Sequence, residues 1–182
     1  MENAIGFLEF NSIARGIEAT DIALKTADVR LIFSRAGCPG KYYLLIAGEV
    51  AAVRASLETG RDTGGEHVVD MCLIPNVDSQ VIRSINMTNI PEKIEAVGVM
   101  EFYSVTASVY SADAAVKAAD VDLVDVRLGT GIGGKSFVIL TGEVAAVRAA
   151  VECGIRTPNA EGMVISHVVI PNPHPDLIQS LY

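Results

Sequence analysis

Residues 129–136 read GTGIGGKS, which fits the phosphate-loop pattern G-x-x-x-x-G-K-[ST] at every fixed position. The chemistry this offers is nucleotide binding, with glycine N–H groups and a lysine around phosphate. A second stretch, AGCPGKYY, sets a thiol, Cys38, between Gly37 and Pro39, with Gly40 and Lys41 behind it. A thiolate in a polar loop offers a soft ligand for iron or another soft metal, or a target for oxidation. The remaining titratable residues offer less. Glu9 and Glu101 have no carboxylate partner in the sequence, and His67, His167 and His174 lack metal-ligand spacing. Acid–base catalysis therefore has no candidate pair, and no enzymatic activity is expected.

The elements around these loops decide between the readings. A phosphate loop must open a helix, because the helix N-terminus supplies the aligned N–H groups and the dipole. Ser136 instead leads into Phe137-Val138-Ile139-Leu140, a β-branched and bulky apolar run that predicts a strand. Nucleotide hydrolysis is accordingly the weakest reading of GTGIGGKS. The equivalent point of the first half carries Gly37-Cys38-Pro39-Gly40-Lys41, with no phosphate-loop pattern. What the two loops share is glycine, which lets backbones approach closely.

That equivalence follows from a tandem duplication. AIGFLEFNSIARGIEATDIALKTADVRL from Ala4 aligns with AVGVMEFYSVTASVYSADAAVKAADVDL from Ala96. GKYYLLIAGEVAAVRASLETG from Gly40 aligns with GKSFVILTGEVAAVRAAVECG from Gly134, and Ile74-Pro75-Asn76 with Ile170-Pro171-Asn172. The repeat divides the chain into domains 1–91 and 92–182. Each half reads β-α-β-β-α-β-α, with Ser12 as an N-cap and Gly60 and Gly154 as residues just past a helix end. This order predicts an α+β fold of the split βαβ, ferredoxin-like kind in each half.

Composition narrows the function classes. The 182 residues are 50% hydrophobic with net charge −8, and the mean hydropathy is +0.37. Basic residues do not cluster, so the positive stripe of a general nucleic-acid binder is missing. No apolar run approaches the ~20 residues that span a bilayer. MENAIGFLEF lacks a basic region and a cleavage site, so no secretory signal is expected. Excess Ala, Val and Ile in a small chain points to large protein–protein contacts. Three cysteines without C-x-x-C spacing predict a cytoplasmic chain with no disulfide framework. Cys72, within MCLIP, reads as a core residue, and Cys153, in an Ala-rich helix, as structural.

The repeated block resembles the shell proteins of bacterial microcompartments. The resemblance is carried by AIGFLEF, ALKTADV, the block GKYYLLIAGEVAAVRASLETG and the closing IPN, and it covers nearly the whole chain twice. It implies two tandem microcompartment domains, with three chains closing a pseudohexamer that lies beside other shell proteins in the compartment shell. The AGCPGKYY loop resembles that of the iron–sulfur-binding tandem members from propanediol-utilisation compartments. This implies that Cys38, one from each chain, binds a central [4Fe–4S] cluster that serves electron transfer or another redox role. Gly37, Pro39, Gly40, Gly131, Gly133 and Gly134 then belong to loops at the axis. Lys25 and Lys117, at matching helix ends, become the tile-edge lysines, and Lys41 and Lys135 become loop-end charges near a pore. Two alternatives stay open: a tile with an unblocked central metabolite pore, and a small-ligand sensor built from two βαβ-type modules.

Overall fold

The computed structural model describes residues 4–181. The chain forms two compact units, residues 1–77 with 130–134, and residues 78–129 with 135–182.

The first unit runs β1 (Ala4–Phe10), α1 (Ile13–Thr26), β2 (Val29–Gly37), β3 (Lys41–Gly48), α2 (Val50–Gly64) and β4 (Val68–Pro75). Its sheet has the order β2-β3-β1-β4, with antiparallel pairing throughout. Ser12 caps α1 by accepting from the Arg15 N–H. Leu8, Phe10, Ala19, Ala23, Leu44, Ile46, Val53 and Leu57 form a buried cluster. It brings alternate residues of the central strands together with residues of α1 and α2.

The second unit begins with α3 (Ser79–Ile85). Then come β5 (Ala96–Phe102), α4 (Val105–Ala118), β6 (Val121–Leu128), β7 (Ser136–Gly142), α5 (Val144–Arg156), β8 (Val164–Ile170) and α6 (Pro175–Gln179). The strand order β6-β7-β5-β8 repeats that of the first sheet. Register repeats as well: Leu31 faces Ile46 and Leu123 faces Leu140, each followed by an irregularity in the edge strand. The ferredoxin-like α+β fold expected from the repeat is the fold found.

Two features differ from the sequence reading. The repeat divides the chain into 1–91 and 92–182, whereas the compact units divide between Val77 and Asp78. The physical reason is α3, which closes the first repeat in sequence but lies along β6. There the Gln80 side chain accepts from the Leu123 N–H, and Ser84 and Asn89 donate to the Leu123 carbonyl. The second difference is a correction. Gly60 and Gly154 do not end their helices, because α2 continues to Gly64 and α5 to Arg156. A Cβ on Gly60 would lie 2.9 Å from Leu8 Cδ1, and one on Gly154 would lie 2.7 Å from Met100 Sδ. These glycines are packing residues inside the helices.

Candidate functional site: the two glycine-rich loops

The first loop is a tight connection from β2 to β3. The Gly40 N–H donates to the Gly37 carbonyl at 3.0 Å, and Gly40 has φ +82°. Cys38 is half-buried between them. Tyr43 fixes this turn from below. Its ring fills the space beside Gly37, where a Cβ would come 2.1 Å from Tyr43 Cε2. Its hydroxyl donates to the Cys38 carbonyl at 3.3 Å. Burial pushes the Tyr43 phenol well above its ordinary range, reinforced by negative charge at Glu9 and Cys38. Tyr43 therefore stays a neutral donor.

The second loop, GTGIGGKS, joins β6 to β7 and opens no helix. Gly129, Gly131, Gly133 and Gly134 all have positive φ, a backbone that other residues adopt only with strain. Residues 130–134 group with the first unit, and a Cβ on Gly134 would lie 2.8 Å from the Cys38 carbonyl oxygen. The glycines of this loop thus permit contact with the Cys38 turn, and the helix N-terminus that phosphate binding needs is missing.

Each loop ends on a lysine, and both lysines are committed. Lys41 bonds Glu9, and Lys135 bonds Glu101 at 3.1 Å. Burial raises the Glu9 pKa, and Lys41 partly offsets this. The sequence reading kept these residues apart, as loop-end charges and strand-end carboxylates. The signal was in the repeat, since Glu9 and Glu101 match, as do Lys41 and Lys135, and β1 pairs with β3 as β5 pairs with β7.

The other candidates are dispersed. Cys72 is fully buried on β4, and burial pushes its thiol far up, as a core residue requires. Cys153 is exposed on α5. His67 bonds Asn11, His167 lies on β8, and His174 caps α6. Lys25 pairs with Asp21 on an exposed stretch of α1. Lys117 pairs with Asp113, which also accepts from the Asp78 N–H at the start of α3. Among the described residues, no three or more His, Cys, Asp and Glu side chains gather as a metal site. One chain thus brings a single presented sulfur to the loops. That fits a thiolate cluster only if several copies each contribute one.

Sequence and structure comparisons agree on the family. The BMC domain model matches twice, at residues 4–77 and 96–173. The chain is 41% identical over 174 residues to the bacterial microcompartment shell protein PduT of Citrobacter freundii, covering 96% of this chain and 95% of that one. Among solved structures, a microcompartment protein from Desulfitobacterium hafniense DCB superposes with a TM-score of 0.91 and 45% identity. That match covers 97% of this chain and 98% of the other. A fused permuted hexameric shell protein of the RMM microcompartment gives a TM-score of 0.60 at 28% identity, covering 82% and 78% of the two chains. With one ferredoxin-like unit per matched segment and the glycine-rich loop at the same point in both repeats, the chain belongs to the BMC domain family of bacterial microcompartment shell proteins, as a tandem member.

Proposed function

We propose that the chain is a structural tile of a bacterial microcompartment shell, assembled from three copies into a pseudohexamer and seated among other shell proteins. The observation that carries this is the repetition of one complete microcompartment domain, with the same strand order and register in both sheets. A six-module ring needs three such chains. The matched full-length relative is named as a shell protein, and the chain offers no catalytic constellation among its described residues. Lys25 and Lys117 serve in this reading as edge charges through which neighbouring tiles meet.

At the centre of the tile, Cys38 from each chain would hold a [4Fe–4S] cluster, which supplies one-electron redox chemistry when bound. Cys38 is the presented sulfur of the loop. Tyr43 and Gly37 hold its turn, and the glycines of 131–134 let the second loop lie against it. Clusters of this kind normally take four thiolates, so three copies of Cys38 leave one iron for a non-equivalent ligand. The rival is a tile whose axis is an open metabolite pore ringed by free thiols. Anaerobic reconstitution with iron and sulfide, followed by iron analysis and EPR, separates them. About four irons per trimer are expected, lost in Cys38→Ser and retained in Cys72→Ser and Cys153→Ser. Colourless, iron-free protein after reconstitution favours the open pore.

A further inference from the structure

The glycine run of GTGIGGKS is richer than a β–β turn requires. The first repeat makes its turn with Gly40 alone at positive φ, whereas the second places Gly129, Gly131, Gly133 and Gly134 there. Counting back from the shared Gly-Lys, Ile132 stands for Cys38, so the second loop brings no thiol of its own. Its glycines also divide by what surrounds them. A Cβ on Gly131 or Gly133 would meet nothing within 4 Å. A Cβ on Gly134 would lie 2.8 Å from the Cys38 carbonyl oxygen, 2.9 Å from Pro39 Cδ and 3.4 Å from the Cys38 carbonyl carbon.

These neighbours are backbone and ring atoms, not the free end of a flexible side chain, so they cannot swing aside. The same Cys38 carbonyl accepts from the Tyr43 hydroxyl at 3.3 Å. Tyr43 is fully buried and its ring packs on Phe7, so the turn has no room to sink toward the sheet. The Cys38 carbonyl is therefore held from two sides, by Tyr43 of β3 and by Gly134 of the second loop. A peptide unit is planar. Fixing that carbonyl fixes the plane that follows the Cys38 Cα, and with it the direction in which the thiol leaves.

We propose that the 130–134 loop positions the Cys38 thiol, with Gly134 as its contact residue. Cluster loading and redox potential then depend on a residue of the second repeat that carries no ligand atom. The proposal rests on the cluster reading of Cys38. Ligand atoms must be held to within about 0.5 Å of their working place. The potential of a cluster responds to hydrogen bonding and solvent exposure around its sulfurs. Moving the Cys38 turn changes both. The glycines that imitate a phosphate loop serve here for close approach to a thiol-bearing turn.

Gly134→Ala, Gly131→Ala and Gly133→Ala, each in the full chain, form the test. All three place a side chain at positive φ, so the cost of backbone strain is shared. Only Gly134→Ala meets the Cys38 turn. In the iron-free protein it should label Cys38 with a maleimide faster than wild type, while the other two keep the wild-type rate. After anaerobic reconstitution it should lose most of the iron, and the cluster that remains should show a shifted midpoint potential and altered EPR g values. Hydrogen exchange on wild type needs no substitution and decides the matter if Gly134→Ala does not fold. There the 130–134 segment should exchange more slowly once the cluster is loaded. Wild-type labelling, iron content and potential in Gly134→Ala would overturn the positioning while leaving the cluster standing. So would equal changes in all three variants, or exchange of 130–134 that loading leaves unaltered. A wild type that takes up no iron sinks the cluster reading instead, and the labelling rates then judge the contact by themselves.

Discussion

Lys135 Nζ donates to Glu101 Oε1 across 3.1 Å, and this commits the lysine of the phosphate-loop pattern to a carboxylate of β5. A phosphate-binding lysine needs its ammonium free for the ligand and a helix N-terminus beside it. Here the strand β7 follows the loop. Lys135→Ala should therefore leave Mg-ATP affinity at background, as in wild type. Both partners are substantially exposed, so stability should fall by no more than about 1 kcal/mol. Isothermal calorimetry and urea melts check both statements. Tight nucleotide binding that disappears in the variant would reverse the argument.

The matching pair in the first unit should behave differently, because Glu9 is buried. Its carboxyl pKa is raised by burial, with Lys41 pulling the other way. A folded value above the unfolded one means that stability is fully present below the unfolded pKa. It is lost as pH rises through the folded pKa. Lys41→Ala removes the offset and lifts the folded value further. The variant should be less stable than wild type by about 3 kcal/mol near neutral pH, and the gap should close as pH falls toward the ordinary carboxyl value of 4.5. Denaturation curves for both proteins across that range provide the measurement. A gap independent of pH would mean that Glu9 is not the group responsible.

The duplication made the strand and helix order legible, because every period appears twice and each half checks the other. GTGIGGKS was legible as a β–β loop from Phe137-Val138-Ile139-Leu140 alone. The position of α3 was not legible, since the partner of Gln80 and Ser84 is Leu123, far along the chain. Gly60 and Gly154 misled for a related reason. Glycine after an Ala-rich helix fits a C-terminal stop, but here tertiary contact with Leu8 and Met100 demands the missing side chain. The approach of Gly134 to the Cys38 carbonyl was not legible either, because the two lie far apart in the chain.

Gly60 gives a direct test of that correction. In an exposed helix interior, Gly→Ala gains about 1 kcal/mol. At Gly60 the new methyl would meet Leu8 Cδ1 at 2.9 Å and Ala23 Cβ at 3.3 Å. Overpacking of this sort costs about 1–3 kcal/mol, so Gly60→Ala should lower the melting temperature. A stabilised variant would show that α1 and α2 can separate without cost.

The three thiols should divide by burial. Cys72 has both a buried position and a thiol pushed far up, so the nucleophilic thiolate is scarce and shielded. Cys153 is exposed and should react first with a maleimide under native conditions. Cys72 should be labelled only after unfolding. Mass spectrometry of the labelled peptides reads this out, and native labelling of Cys72 would contradict the packing of β4 against β1.

The Cys38 turn rests on Gly37 and Tyr43, and substitutions at the two should separate shape from hydrogen bonding. Tyr43→Phe keeps the ring and deletes only the 3.3 Å hydrogen bond to the Cys38 carbonyl. The net loss should be about 1 kcal/mol. Gly37→Ala places a methyl 2.1 Å from the same ring. Tyr43 is fully buried, and its ring packs on Phe7 with centroids 5.7 Å apart, so it has little room to yield and the turn itself must shift. Gly37→Ala should cost more stability than Tyr43→Phe. It should also change the rate at which Cys38 reacts with a maleimide in the iron-free protein, whereas Tyr43→Phe should leave that rate near wild type. Pairing thermal melts with timed labelling of the Cys38 peptide measures both quantities. Equal stability and unchanged labelling in Gly37→Ala would show that Tyr43 does not hold the turn.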